Sequence, residues 1–301
     1  MKIKLFLGLL MAFALTFINC SDDTNSNANG TGKLTIQLTD APFPFDMVAE
    51  ANVTVFKLEA RNKDNEDDEM ADNADDDMDS DNDGDGSPFI TLMEEEMDIN
   101  LLELTNGVTE QLASLDVPAG TYDLLRIYVK GVNVVLTDGR TFDLKVPSGE
   151  QTGIKVFIKP GITVAGGLSA DLLLDFDVSR SFVAKGNTKS IDGIKGFNFK
   201  PVIKVSNLST AGSLTGNVST LEEEMQVALE GAQISVLAAD TLNTSGFSDA
   251  DGNYTIMGLE AGSYKVFAEL EGYIKSDTLD VEIAVANKTV QDFQLEKEVI
   301  E

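Results

Sequence analysis

Apolar residues in this chain come in short runs that alternate with polar ones, and turn-forming residues separate the runs. Residues 33–38, KLTIQL, alternate strictly, which is the period of a strand with one buried face. The same reading predicts strands at 154–158, 168–176 and 197–205. Residues 132–136 and 141–146 flank Thr137-Asp138-Gly139-Arg140, and the central Asp-Gly predicts a tight hairpin turn. Pro160 and Pro201 cannot donate to a ladder, so they are expected at strand starts or edges. Further on, 231–236 alternates, 248–256 places a turn between two strands, and 258–266 followed by Gly272-Tyr273 continues the pattern. Short strands with turn signals between them favour a sandwich or partly open barrel over long helices. The polar stretch 206–212, SNLSTAG, divides the strands into two groups, at 32–206 and 212–295.

The N-terminus follows a different pattern. Met1-Lys2-Ile3-Lys4 is short and positive, and residues 5–18 form an almost unbroken apolar run of 14 residues. A membrane-spanning helix needs about 20, so residues 1–19 read as a signal peptide. The run ends in Phe17-Ile18-Asn19-Cys20. This resembles a lipobox, in which the Cys thiol takes diacylglycerol before the signal peptide is cut away. Phe17 stands where Leu is usual, and Asn19 where Gly or Ala is usual. Cys20 is therefore the expected lipid anchor, and several acyl chains on one Cys are enough for stable attachment. Ser21-Asp22-Asp23 resembles the tag that sends lipoproteins to the outer face of the outer membrane in some Gram-negative bacteria. Residues 20–31 are small and polar, a tether with a reach of roughly 20 Å. The expected location is the outer membrane, lipid-anchored and facing outward.

Five blocks in the first strand group occur in a specific order: LTIQLTDAP (34–42), LLELTNGVTEQLASLDVPAGTYDLLRIYV (101–129), TFDLKVPSGEQTGIKV (141–156), LLLDFDVSRS (172–181) and FKPVIKV (199–205). Together they resemble the bacterial lipoprotein family called domain of unknown function 4382, which implies a β-sandwich and no particular reaction. In the second group, Ser248 to Ile256, Gly258 to Val266 and Gly272-Tyr273 resemble the carboxypeptidase regulatory-like module. That resemblance implies a seven-stranded transthyretin-like sandwich, an accessory without catalytic residues, in a superfamily shared with carbohydrate-binding domains. The expected fold is all-β, two β-sandwich domains.

One stretch departs from the family pattern. Residues 64–86 hold 13 Asp or Glu and no Lys or Arg, a density that cannot bury enough apolar surface to order itself. The segment is expected to be a disordered acidic insertion in the first sandwich. Within it, Asp79-x-Asp81-x-Asp83-Gly84 has the acidic alternation of a calcium loop. Gly86 and Ile90 stand where an EF-hand would need an apolar residue and a bidentate Glu, so loose calcium binding is the most it supports. No other cofactor is expected.

Composition narrows the function. The net charge of −29 disfavours nucleic acid and direct adsorption to an anionic bilayer. There is no His to act as a base or to ligate a transition metal, and Cys20 is the only Cys. Asp171, Asp175 and Asp177 share one strand parity, and paired carboxylates are what glycoside hydrolysis needs. However, Leu172, Leu174, Phe176 and Val178 on the other parity make this an ordinary amphipathic strand. No Gly-x-Ser-x-Gly motif occurs. Asp249-x-Asp251-Gly252 reads as a hairpin turn, and Tyr254, Tyr264 and Tyr273 as core or turn packing. The chain is expected to be a non-enzyme. One class is a binding module for glycan or another extracellular ligand; the other is a structural or adhesion protein contacting partner proteins. The superfamily link favours glycan by analogy of fold, and the absence of Trp leaves stacking to Tyr and Phe.

Overall fold

A computed structural model describes residues 30–41, 47–65, 89–146 and 151–298, all β apart from short helical turns. The first part of the chain contributes β1 (Thr31–Ala41), β2 (Val48–Asn62), β3 (Phe89–Met93), β4 (Met97–Asn100), β5 (Glu110–Pro118) and β6 (Gly120–Leu136). It continues with β7 (Thr141–Asp143), β8 (Ile154–Val164), β9 (Ser169–Asp177), the single turn α1 (Val178–Ser181), β10 (Phe182–Gly186), β11 (Ile194–Phe199) and β12 (Ile203–Asn207).

One sheet has the order β12-β9-β1-β5, and the other β3-β2-β6-β7, with β4 also on β2 and β8 also on β6. Between them Leu34, Ile36 and Leu38 of β1 and Leu172, Leu174 and Phe176 of β9 join Val53, Val55, Tyr122 and Leu125 in one buried core. Period-two alternation puts those residues on one face, and the second sheet covers it. The β10–β11 hairpin closes one flank, where Phe182 and Phe199 meet at 5.1 Å between ring centroids.

The second part contributes β13 (Gly212–Glu222), β14 (Met225–Ala228), β15 (Gln233–Ala238), β16 (Thr241–Phe247), β17 (Asn253–Leu259) and β18 (Gly262–Glu269). Then follow β19 (Tyr273–Ile274), β20 (Leu279–Ile283), β21 (Lys288–Val290), β22 (Phe293–Gln294) and β23 (Glu296–Lys297). Sheet β14-β13-β17, with β21 and β22 on β13, faces sheet β16-β15-β18-β20 across a separate core that includes Val218, Ile234, Tyr254, Tyr264 and Val266. Tyr273 packs against the same core, so the three tyrosines are structural, as the sequence suggested. Asp249 Oδ1 accepts the N–H groups of Asp251 and Asn253 at 3.0 and 2.8 Å, the turn geometry expected there.

Several expectations need correction. The run 197–205 is two strands in different sheets, because Pro201 has no N–H to carry a ladder through. Ser181 Oγ takes the Val202 N–H at 2.8 Å, and Asp177 N–H donates to Val202 O at 3.0 Å as the chain changes sheets. Pro160, by contrast, meets its expectation: it lies in β8, an edge strand paired with β6, where the pairing slips between Tyr122 and Leu124. The polar break at 206–212 is narrower than expected: β12 pairs with β9 as far as Asn207 and β13 begins at Gly212, which leaves a turn at 208–211. Asp64, read as the first residue of the acidic insertion, is tied to the fold, since its Oδ2 accepts Thr121 N–H at 2.8 Å.

The largest correction concerns the far face of β9. Alternation puts Leu173 among the outward, polar positions, yet it is fully buried at 0 % exposure. The second sandwich covers it. A Cβ on Gly258, in β17, would lie 3.2 Å from Leu173 Cδ2 and 3.0 Å from Ser206 Oγ, so a side chain here would crowd both. Gly258 also has φ +73°, in the left-handed region.

Candidate functional site

Among the described residues, polar groups gather around space at the following two places. The first is the seam between the sandwiches. Ser206 Oγ donates to Gly258 O at 2.7 Å. Lys204 Nζ reaches across to Asn243, donating to Oδ1 at 2.7 Å and also to its backbone oxygen. Asn106 Nδ2 donates to Asp249 Oδ2 and Asn253 O at 3.1 and 3.3 Å. Close by, at the end of β1, Asp40 is 5 % exposed and shares the strand face of Leu34, Ile36 and Leu38. Its Oδ1 accepts Val178 N–H at 3.1 Å, while Oδ2 meets no protein donor. Burial holds the Asp40 carboxyl well above the usual carboxylate range; the Val178 N–H opposes the rise, and Asp175 and Asp177 add to it. Burial likewise pushes the Lys204 ammonium down, against the pull of Asp175.

The three aspartates that shared a parity do different jobs. Asp177 caps α1, with Oδ1 accepting Arg180 N–H and Oδ2 the Arg180 Nε–H at 2.8 and 2.6 Å. Asp175 lines the seam beside Asp40 and Thr244. Asp171 is half-buried farther along β9. Asp40 was not singled out from the sequence. A signal was available, because Asp40 continues the parity of the buried Leu34, Ile36 and Leu38.

The second place is an open groove of ≈ 620 Å³ between the end of β7 and the β10–β11 hairpin. Lys145, Lys185, Asn198 and Asp143 line it with Leu144, and Phe197 and Phe199 lie buried behind it, 4 and 7 % exposed. Alternation explains the division: on β11 the phenylalanines face the core, whereas Asn198, Lys195 and Lys200 face out. The neighbourhood is basic within an acidic chain. Between 178 and 206 stand Arg180, Lys185, Lys189, Lys195, Lys200 and Lys204, against a single acid, Asp192.

The residues singled out from the sequence for lipidation and export, Cys20, Ser21, Asp22 and Asp23, and for calcium, Asp79, Asp81 and Asp83, lie outside the described residues. Among the described residues no group of three or more His, Cys, Asp or Glu converges to hold a metal.

Two packed β-sandwiches in tandem, joined through a polar seam, define the class. The chain belongs to the family described as domain of unknown function (DUF4382), which matches residues 31–201. A carboxypeptidase regulatory-like domain follows, matching residues 213–296. No curated protein matches the sequence. Among solved structures, GBS52, the minor pilin of Streptococcus agalactiae, is 11 % identical with a TM-score of 0.27, over 90 % of this chain and 98 % of that one. The shaft pilin SpaA of Lactobacillus rhamnosus GG is 12 % identical with a TM-score of 0.27, over 90 % and 99 %. The Bacillus anthracis TIE protein is 12 % identical with a TM-score of 0.27; the match covers 89 % of this chain and 34 % of that longer one.

Proposed function

We propose that this protein is a non-catalytic binding module, held in the outer membrane by lipid on Cys20 and facing outward, that takes glycan in the groove beside the β10–β11 hairpin. The observation that carries the reading is the groove itself, with its hydrogen-bonding rim of Lys145, Lys185 and Asn198. A concave surface with a few convergent polar groups is where ligand sites occur. The surrounding lysines favour sugars that carry carboxylate or sulfate. The test is a glycan array probed with the secreted, unlipidated chain and with Lys145→Glu/Lys185→Glu. Acidic glycans should bind the parent, lose binding as salt rises, and fail on the double variant. An array with no hits, or hits unaffected by the double variant, sinks the groove.

A second reading, contact with a partner protein, is favoured by the β13–β14 arm. Leu221, Met225 and Val227 are 52, 65 and 38 % exposed there. A glycan-negative result combined with pull-down of a cell-surface protein, lost in Met225→Asp, would favour it. Location is tested separately. Cys20→Ser should lose metabolic fatty-acid label, and protease added to intact cells should remove the folded domains unless Asp22 and Asp23 are both replaced by Ala.

A further inference from the structure

We propose that the β13–β14 arm binds a second copy of this chain, at the lysine-lined face of its β10–β11 hairpin. The proposal rests on the reading of the arm as a protein contact, and it names the partner. Leu221, Met225 and Val227 put three exposed large apolar side chains within one short stretch, the densest such group among the described residues. All four residues of β14 are exposed, and β14 pairs only with β13 among the described residues, so its outer edge is open. That edge, Met-Gln-Val-Ala, has neither charge nor Pro, the usual devices that keep an edge strand from pairing with another chain. The turn leading into it is Glu223-Glu224, with φ +50° and +69°. A two-residue turn of this hand favours Asn and Gly, so the arm keeps two carboxylates at its tip against the backbone's preference.

Charge complementarity selects the surface that receives the arm. Glu222 is engaged by Lys297 at 2.8 Å, whereas Glu223 and Glu224 make no ion pair among the described residues. Lys145 and Lys185, at the groove, also have no carboxylate partner among them. With a net charge of −29, two copies repel over most of their surface, and the basic segment 178–206 is where an acidic arm is attracted. The hairpin repeats in opposite charge what the arm presents. Among the described residues β10 pairs only with β11, so it too has an open edge. Val183 on that strand is 47 % exposed, and Lys185 shares its outward parity. An antiparallel register that sets Met225 opposite Val183 sets Glu223 opposite Lys185, one apolar and one charged cross-strand pair. The two open edges supply main-chain hydrogen bonds, as in other strand additions. A four-residue edge gives a small contact, so the association is weak and reversible. Because Lys145 and Lys185 also form the rim for acidic glycan, arm and glycan would compete for it.

The test is sedimentation velocity of the secreted, unlipidated chain over a range of concentrations, at low and at high salt. The average mass of the parent should rise with concentration at low salt and fall back as salt increases. Glu223→Lys/Glu224→Lys should weaken association about tenfold or more, and so should Lys145→Glu/Lys185→Glu. Mixing these two variants should restore it, because each arm then meets a hairpin of opposite charge. All four side chains are exposed, so both variants should melt as the parent does. Met225→Asp, which leaves both sets of charges in place, should weaken association as well. A parent that stays monomeric at every concentration overturns the proposal, as does association that neither reversal affects or that mixing fails to restore. A monomeric parent whose arm instead captures a different cell-surface protein, lost in Met225→Asp, would keep the reading of the arm and overturn this partner. The glycan reading is judged apart: Glu223→Lys/Glu224→Lys leaves the groove unchanged and should bind acidic glycan as the parent does.

Discussion

Replacing Leu173 with Ala tests whether the two sandwiches behave as one unit. Leu173 is fully buried, but on the face of β9 opposite the first core, against Gly258 and Ser206. Truncating a buried Leu costs about 2–5 kcal/mol, depending on how far the site can collapse. Collapse here requires the second sandwich to shift toward β9. The bonds from Ser206 to Gly258 and from Lys204 to Asn243 resist that shift, so a cost of about 3 kcal/mol is expected. For a protein of this size that corresponds to roughly 6–12 °C in melting temperature. The loss should fall on the seam: calorimetry should resolve two transitions where the parent shows one, and protease should gain access to the turn at 208–211. Leu172→Ala is the control. That residue faces the first core, at 0 % exposure, so its loss should lower the first sandwich without separating the second. The reasoning is refuted if Leu173→Ala costs less than about 1 kcal/mol, or if it unfolds in the same pattern as Leu172→Ala.

Tyr254 donates its hydroxyl to Gln291 O at 2.6 Å from within the second core, so Tyr254→Phe should cost about 1–3 kcal/mol in urea unfolding, a buried carbonyl being left unpaired. Asp40 has a folded pKa above its unfolded value, so its contribution to stability is complete below about pH 4 and is lost as pH rises through the folded value. Between those two values stability should therefore fall with rising pH, by up to about 1.4 kcal/mol per unit, and Asp40→Asn should flatten the slope. Deleting 66–86 while keeping Asp64, which binds Thr121 N–H, should leave the melting temperature within a few degrees of the parent; deleting Asp64 as well should lower it further.

The candidate sites differed in how far the sequence showed them. The excess of Lys and Arg over a single acid in 178–206 is visible without a fold, and Lys185 of that segment lines the groove. That Lys145 joins Lys185 from the end of β7 depends on the β10–β11 hairpin closing beside β7. At the seam, Asp40 and Asn106 are far apart from Thr244 and Thr255 in sequence, and no local pattern relates them.

Strand positions, the tight turn at Asp138-Gly139 and the packing role of Tyr254 and Tyr264 were determined by the sequence alone, because they follow from side-chain period and from the conformations that Gly and Asp accept. Local rules of this kind act over a few residues. Pairing acts over the whole chain. Only the tertiary structure decided that β1 lies parallel to β9, with Leu34 opposite Ala170, and that 197–205 divides between two sheets. It alone decided that Leu173 is buried. Alternation tells which residues share a face of a strand; whether that face meets water or a second domain depends on surface contributed from elsewhere in the chain, and here β17 supplies it.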